Sequence, residues 1–309
     1  MPYLPAILWV LLSTALFTLI FAAAKFADGA MGTFQILFLR YLGAFTVLLV
    51  LSRTARHGGA WRSKRKPLHF LRAVCGCSAA AAITWSSAHM PIADATAISM
   101  LYGLITVILG AVFLREHTGA AIWGAVLLSL AGAAIVMLSQ GAFGESLPVL
   151  PAAMALLGAL LMACEGLLIR ILARAESALT LMLYVTLFGC LLMLGPALAE
   201  WQAASITGIA ACILLGPVSV AAQYCTIRGY RTAPLSVVGP VDYSWLIFAA
   251  LLGFLAFGET PGQSVLAGGA LIILGGIVLT LTRHPPTANS GSAAHRSGSP
   301  CSADSRRGA

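Results

Sequence analysis

The chain has 309 residues, of which 60% are hydrophobic and only 9% charged, with a mean hydropathy of +0.94. Soluble domains carry roughly 25% charged residues, so a soluble globular domain is excluded and an integral membrane protein is implied. The net charge of +8 would suit a nucleic-acid binder only if the bases clustered on a folded face. They fall instead between apolar runs, where Lys and Arg report topology, so nucleic acid is not an expected partner.

Apolar runs of about 20 residues, the length that crosses a bilayer as helix, predict ten spans. They cover approximately 4–24, 32–52, 68–89, 92–114, 119–139, 149–170, 178–198, 203–226, 235–257 and 261–282. The first could pass for a signal peptide, with Ala22-Ala23-Ala24 as a cleavage site. It carries no positive charge before it and is too long for a signal core, so it is read as the first helix. The longest connection, Arg53 to Pro67, is basic. The segment 283–309 is rich in Ser, Gly, Ala and Pro without apolar periodicity, and is expected to be a disordered cytoplasmic tail. Fifteen Lys and Arg residues fall in connections on one side of the predicted membrane and Lys25 alone on the other. That bias predicts cytoplasmic N- and C-termini.

Seven cysteines form no CxxC and no Cys/His cluster, so no disulfide framework and no metal site are expected. The six histidines, His57, His69, His89, His117, His284 and His295, sit at helix ends, in loops and in the tail, where a solvated role is the default. No GxSxG, P-loop, HExxH or Rossmann fingerprint is found. No catalytic residue, enzyme activity or cofactor is therefore expected.

A shift of 143 residues superposes Pro91 on Pro234, Gly110 on Gly253, Glu116 on Glu259, Gly119 on Gly262 and Gly132 on Gly275. This divides the chain into a first repeat, 1–139, and a second, 140–282, each of five spans. Five is odd, so the second copy enters the membrane from the opposite face. The predicted fold is thus an all-α integral membrane protein with ten transmembrane helices as two inverted five-helix repeats. Secondary transporters are built this way, with the site near the midplane between the repeats.

The residues Met90-Pro-Ile-Ala-Asp-Ala95 followed by an apolar helix ending Leu114-Arg-Glu116 resemble the drug/metabolite transporter superfamily with EamA-type domains. So do Tyr230-Arg-Thr-Ala-Pro234 through Phe257-Gly-Glu259, and the ILFLR run ending at Arg40. The resemblance covers 4–282 and implies an inner-membrane carrier with a central cavity. Similar chains export amino acids, aromatic compounds or amino-acid-derived metallophores, and others import riboflavin or S-adenosylmethionine. Two departures stand out. Arg115-Glu116 replaces Gly-Glu, and Gly103, with Leu246 in the second copy, replaces a proline common inside the fourth helix.

A charge at the helix centre costs about 2.5–3.5 kcal/mol on insertion scales, so each needs a partner or a cavity. Asp242 lies about 10 Å into the ninth span by helical rise. Asp242, Trp245 and Ala249 share a face, as do their repeat mates Ser99, Tyr102 and Thr106. Tyr102 and Trp245 lie near the midplane, away from the interfacial belts, and are expected to line the cavity, with packing between helices as the alternative. Tyr243, Trp85, Gln223 and Tyr224 are further candidates for its wall. Glu165 and Arg72 either pair as a structural unit or leave Glu165 to carry a coupling proton. Arg40 either holds a substrate carboxylate or, as the preferred reading, serves as a structural tether. Asp94 is read as a helix-start residue. Gly103, Gly110, Gly253, Glu116 and Glu259 are assigned structural roles.

The function expected from these features is a secondary transporter of a small polar or zwitterionic metabolite across the inner membrane. Export of an amino acid, an amino-acid-derived metabolite or a metallophore is the preferred direction. Import of a vitamin or nucleoside-like metabolite is the alternative, and a non-transporting scaffold is disfavoured. The expected partners are the substrate and the lipid bilayer, with proton coupling as a hypothesis and either a monomer or a homodimer as the assembly.

Overall fold

The computed structural model describes residues 3–26, 31–54, 61, 63–90, 92–116, 118–139, 149–257 and 262–281. Among these there are twelve helices and no strand: α1 (Leu4–Phe26), α2 (Thr33–Thr54), α3 (Lys66–His89), α4 (Ile92–Ser99), α5 (Leu101–Phe113), α6 (Ala120–Ser139), α7 (Val149–Ala175), α8 (Ala178–Ala199), α9 (Ile206–Thr232), α10 (Leu235–Val241), α11 (Trp245–Phe257) and α12 (Gln263–Leu281). Seven described stretches are long and apolar enough to cross a bilayer, and Leu4–Ile20, Leu101–Phe113 and Gln263–Val278 are shorter apolar helices. Together they occupy the ten predicted spans. Glu259 and everything after Leu281 lie outside the described residues, as do the side chains of Lys25 and Asp94.

Helix starts follow local chemistry. Ser177 and Ser205 cap α8 and α9, their hydroxyls accepting the Thr180 and Gly208 N–H at 3.1 Å each. Pro67 sits in the first turn of α3, where its missing N–H costs nothing.

Two spans are broken, and they are the fourth and the ninth. The fourth divides at Met100 into α4 and α5, and the ninth divides at a tight 3-10 turn, Asp242–Ser244, into α10 and α11. Under the 143-residue shift Met100 falls on Tyr243, so the breaks are repeat mates. Pro240, which has no N–H to donate, precedes the second break. At the first, the Met100 carbonyl accepts the Tyr243 hydroxyl at 2.8 Å. Gly103 makes this contact sterically feasible, because a Cβ there would lie 2.6 Å from the Tyr243 hydroxyl oxygen. Glycine at this position therefore has a direct reason in packing.

The repeats pack as an inverted pair. Contact of α3 with α7 is mirrored by α9 with α1, and contact of α2 with α9 by α8 with α3. The self-paired contacts α2 with α8 and α6 with α12 lie on the axis, and α5 packs on α10 where the two broken spans meet. Between α6 and α12 the backbones touch. A Cβ on Gly132 would come 2.5 Å from the Gly268 carbonyl oxygen, and one on Gly275 would come 2.9 Å from that of Ala125. These are equivalent contacts, since the repeat carries 132 onto 275 and 125 onto 268.

Arg115, following α5, has φ of 52°, the left-handed region that favours glycine. The turn it makes brings the Glu116 N–H to the Gly110 carbonyl at 3.2 Å. Arg115→Gly is therefore expected to raise stability by about 1 kcal/mol, read by thermal unfolding in detergent. Gly103→Ala should lower it by about 1–3 kcal/mol through overpacking against Tyr243, by the same measurement.

Candidate functional site

A cavity of about 620 Å³ opens between the two repeats. Its wall takes residues from α1, α2, α3, α4, α5, α7, α8, α9, α11 and the turn at Asp242, while α6 and α12 contribute none. The two helix breaks meet at this cavity, and they place Ser99, Met100 and Tyr102 from one repeat opposite Asp242 and Trp245 from the other.

Asp242 sits in the short turn and is half-buried. The Tyr230 hydroxyl, at the end of α9, donates to its Oδ2 at 3.0 Å. Tyr102 faces the same carboxyl. The Tyr230 ring rests on Gly166, where a Cβ would lie 3.3 Å from it. Gly166 follows Glu165, so Tyr230 lies between the two acidic positions of the wall. Sequence reading missed Tyr230. Its signal was its place, twelve residues before Asp242 across the Ala233-Pro234 corner, which folds α9 back alongside α10.

Glu165 lines the cavity from α7, and its Oε1 lies 3.6 Å from Arg72 Nε on α3. Arg72 is fully buried and also donates to the Leu181 carbonyl at 3.3 Å. A Cβ on Gly76 would meet Glu165 Oε2 at 2.7 Å, so a glycine one turn along from Arg72 admits the carboxylate. Arg40 and Gln223 also line the cavity, and among the described residues neither makes a hydrogen bond or ion pair. The tether reading of Arg40 thus finds no partner there. Four wall hydroxyls are internally satisfied: Ser13 donates to the Ala222 carbonyl at 3.1 Å, Ser99 to Ala95 at 2.7 Å, Thr186 to Met182 at 2.8 Å and Ser219 to Leu215 at 2.9 Å.

Of the predicted wall, Tyr102, Trp245, Asp242, Ser99, Glu165, Arg40 and Gln223 come together at the cavity. Four others do not. Tyr243 is fully buried, its hydroxyl turned to the Met100 carbonyl; as the neighbour of Asp242 it points elsewhere. Thr106 is buried against Gly239 and donates to the Tyr102 carbonyl at 2.7 Å, because α10 packs against α5 one turn beyond Tyr102 and covers that position. Trp85 is 38% exposed and stacks on His89 at 4.0 Å, because the adjacent Ser86 binds the Pro151 carbonyl of α7 and leaves Trp85 on the outside. Tyr224 faces outward beside Trp9, with ring centroids 6.0 Å apart, since successive helix residues do not share a face and Gln223 points in.

The end of the bundle that carries the basic residues is closed. One contiguous buried core joins Ala6 and Val10 of α1, Leu48 of α2, Leu172 of α7, Leu181 of α8, Ile227 of α9 and Leu235 of α10. Polar contacts cross it. Glu116 Oε1 lies 3.7 Å from Arg170 Nε, and its Oε2 accepts the Ser236 N–H at 3.4 Å, at the start of α10. Gly110 leaves room for it, since a Cβ there would lie 2.9 Å from Oε2. Arg170 donates to the Arg231 carbonyl at 2.8 Å and Arg231 to the Ala173 carbonyl at 2.6 Å, so each arginine caps the other's helix C-terminus. His69, expected to be solvated, is instead fully buried. Its Nε2 lies 2.8 Å from Glu176 Oε2, and Tyr184 stacks on its ring at 4.6 Å. At the opposite end the buried apolar residues fall into two separate clusters, one around Met31, Leu39 and Cys212 and one around Met100, Tyr243 and Ile272. Gly253 sits within α11. The six described cysteines are free thiols, and no group of potential metal ligands occurs among the described residues.

A duplicated, inverted membrane bundle whose repeat interface holds a cavity reached by Asp242, Glu165 and Arg40 defines a membrane carrier. The chain belongs to the EamA-like transporter family, whose profile matches residues 4–138 and 150–282. It is 27% identical over 273 residues to the riboflavin transporter of Vibrio cholerae, covering 86% of this chain and 90% of that one. It is 26% identical over 286 residues to the pseudopaline exporter of Pseudomonas aeruginosa, covering 90% and 96%. A solved crystal structure superposes with a TM-score of 0.78 at 21% identity, over 89% of this chain and 96% of that one, and shares the fold.

Removing Glu165 leaves Arg72 buried without its counter-ion. Glu165→Ala is expected to cost about 3 kcal/mol, and Glu165→Gln with Arg72→Met to lie much closer to the parent; thermal unfolding of the three proteins checks this.

Proposed function

We propose that this protein is a secondary transporter that moves a small polar or zwitterionic metabolite across the bacterial-type inner membrane by alternating access. The outward direction is preferred, as for an amino acid, an amino-acid-derived metabolite or a metallophore. The observation that carries the reading is the cavity at the repeat interface, with Asp242 exposed to it from the turn between two half-helices. A carboxylate at that depth needs a partner or a cavity, and Asp242 has both Tyr230 and the cavity. With the basic end cytoplasmic, as the Lys and Arg bias indicates, both termini are cytoplasmic and the closed core is the inner gate. Movement of α3, α4–α5, α9 and α10–α11 about the cavity would then open that gate and close the other. Transport draws on an ion gradient or on the substrate's own gradient, and proton coupling through Asp242 or Glu165 belongs to this proposal.

The alternative is import of a vitamin or nucleoside-like metabolite, which similarity to a riboflavin transporter favours. Metabolite analysis of cells and medium with and without the gene separates the two directions. A compound enriched in the medium only with the gene supports export, one enriched in cells supports import, and no gene-dependent compound overturns transport. Asp242→Asn should reduce that flux on the order of tenfold, the value of one charge-assisted hydrogen bond. Unchanged flux and pH dependence in both Asp242→Asn and Glu165→Gln would remove proton coupling from the mechanism.

A further inference from the structure

Among the described residues lining the cavity there is one cation, Arg40, and it has no acceptor. Its guanidinium lies over the ring of Tyr41, 5.6 Å from the centroid. Two arginines buried behind the wall have partners: Arg72 has Glu165 and a carbonyl, and Arg170 has Glu116 and two carbonyls. Nor is Arg40 loosely held. One turn further along α2, Gly43 packs directly on the α9 backbone at Ile213 and Gly216, so closely that a Cβ on either glycine would collide with main chain. That contact fixes the height at which Arg40 enters the cavity.

Asp242 stands on the same cavity with one oxygen held by Tyr230, and no ion pair joins it to Arg40. Glu165, the other acid of the wall, is engaged by Arg72. The wall therefore presents one unpaired cation and one carboxylate on separate helices, with nearby hydroxyls such as Ser13, Ser99 and Ser219 already donating to carbonyls. A purely cationic ligand would leave Arg40 without a counter-charge, and a purely anionic one would leave Asp242 so. A dipolar ligand supplies both. We infer that Arg40 is the specificity-determining residue that takes the carboxylate of the transported metabolite, so that the substrate class is a small amino-acid-like molecule bearing a carboxylate and a cationic amine. This deepens the transport reading and rests on it. A single guanidinium matches one carboxylate through two parallel hydrogen bonds, whereas a doubly charged phosphate would call for further donors.

The test uses the full chain in proteoliposomes with matched probes: L-phenylalanine and L-methionine, their carboxamides, their decarboxylated amines, and phosphoethanolamine. The expected result is flux of at least one amino acid that exceeds that of its carboxamide and amine by about tenfold or more, the value of a charge-assisted contact, and exceeds that of phosphoethanolamine. Arg40→Gln should abolish the preference for the carboxylate, and Arg40→Lys should retain part of it, with thermal unfolding confirming that both variants fold. If the carboxamide or amine moves as fast as the acid, or Arg40→Gln keeps the preference, the role of Arg40 is overturned while transport stands. If phosphoethanolamine moves fastest, the carboxylate class is overturned. If no probe moves, the substrate class is overturned, and the gene-dependent metabolite comparison decides transport separately.

Discussion

Hydrocarbon offers no hydrogen bonds, so a helix inside a bilayer can be interrupted only where protein satisfies the backbone it frees. Here the interruption of the fourth span is met by the interruption of the ninth. The Tyr243 hydroxyl, from the turn that ends α10, reaches the Met100 carbonyl at the end of α4. Gly103 and Gly239, lacking side chains, let α5 and α10 lie close enough for this: a Cβ on Gly239 would be 3.2 Å from the Gly103 carbonyl oxygen. The cavity exists because these two breaks face each other. They turn Tyr102, Asp242 and Trp245 toward a shared volume while burying Tyr243 and Thr106 behind it.

The charges within the bundle follow a second rule. Two ion pairs among the described residues, Arg72 with Glu165 and Arg170 with Glu116, and the hydrogen-bonding contact of His69 with Glu176 each join one repeat to the other. Buried charged pairs add little net stability, because desolvation offsets their attraction. Their value here is positional. They hold the two repeats in one relative arrangement, and an arrangement that opens the basic end has to exchange those partners for others. Tyr230 links this end to the cavity, since its carbonyl accepts from Arg170 while its hydroxyl binds Asp242.

Much of this architecture can be read from the chain. Ten apolar runs, a 143-residue shift and an odd number of spans per copy define inverted repeats without coordinates. Depth and charge also single out Asp242, Glu165 and Arg40, because a charged group inside an apolar run must have a reason to be there. Glycines at 132 and 275 signal close helix approach, and α6 meets α12 at both. Side-chain direction near the breaks was not legible. Periodicity of 3.6 places Thr106 beneath Tyr102, but α10 packs across that turn of α5 at Gly239 and covers it. Trp85 and Tyr224 are amphipathic aromatics whose orientation depends on which neighbour packs first, and no local pattern encodes that.

The sequence by itself determined the class, the span count, the repeat and the depth of the charged residues, because the cost of placing polar groups in lipid acts residue by residue along the chain. Only the tertiary structure decided which of those residues share a cavity. Arg72 finds Glu165 across the repeat interface, Asp242 finds Tyr230 around a corner, and Arg40 is left facing open space. Those outcomes depend on helix rotation and on contacts between segments far apart in sequence, which are fixed only when both repeats pack together.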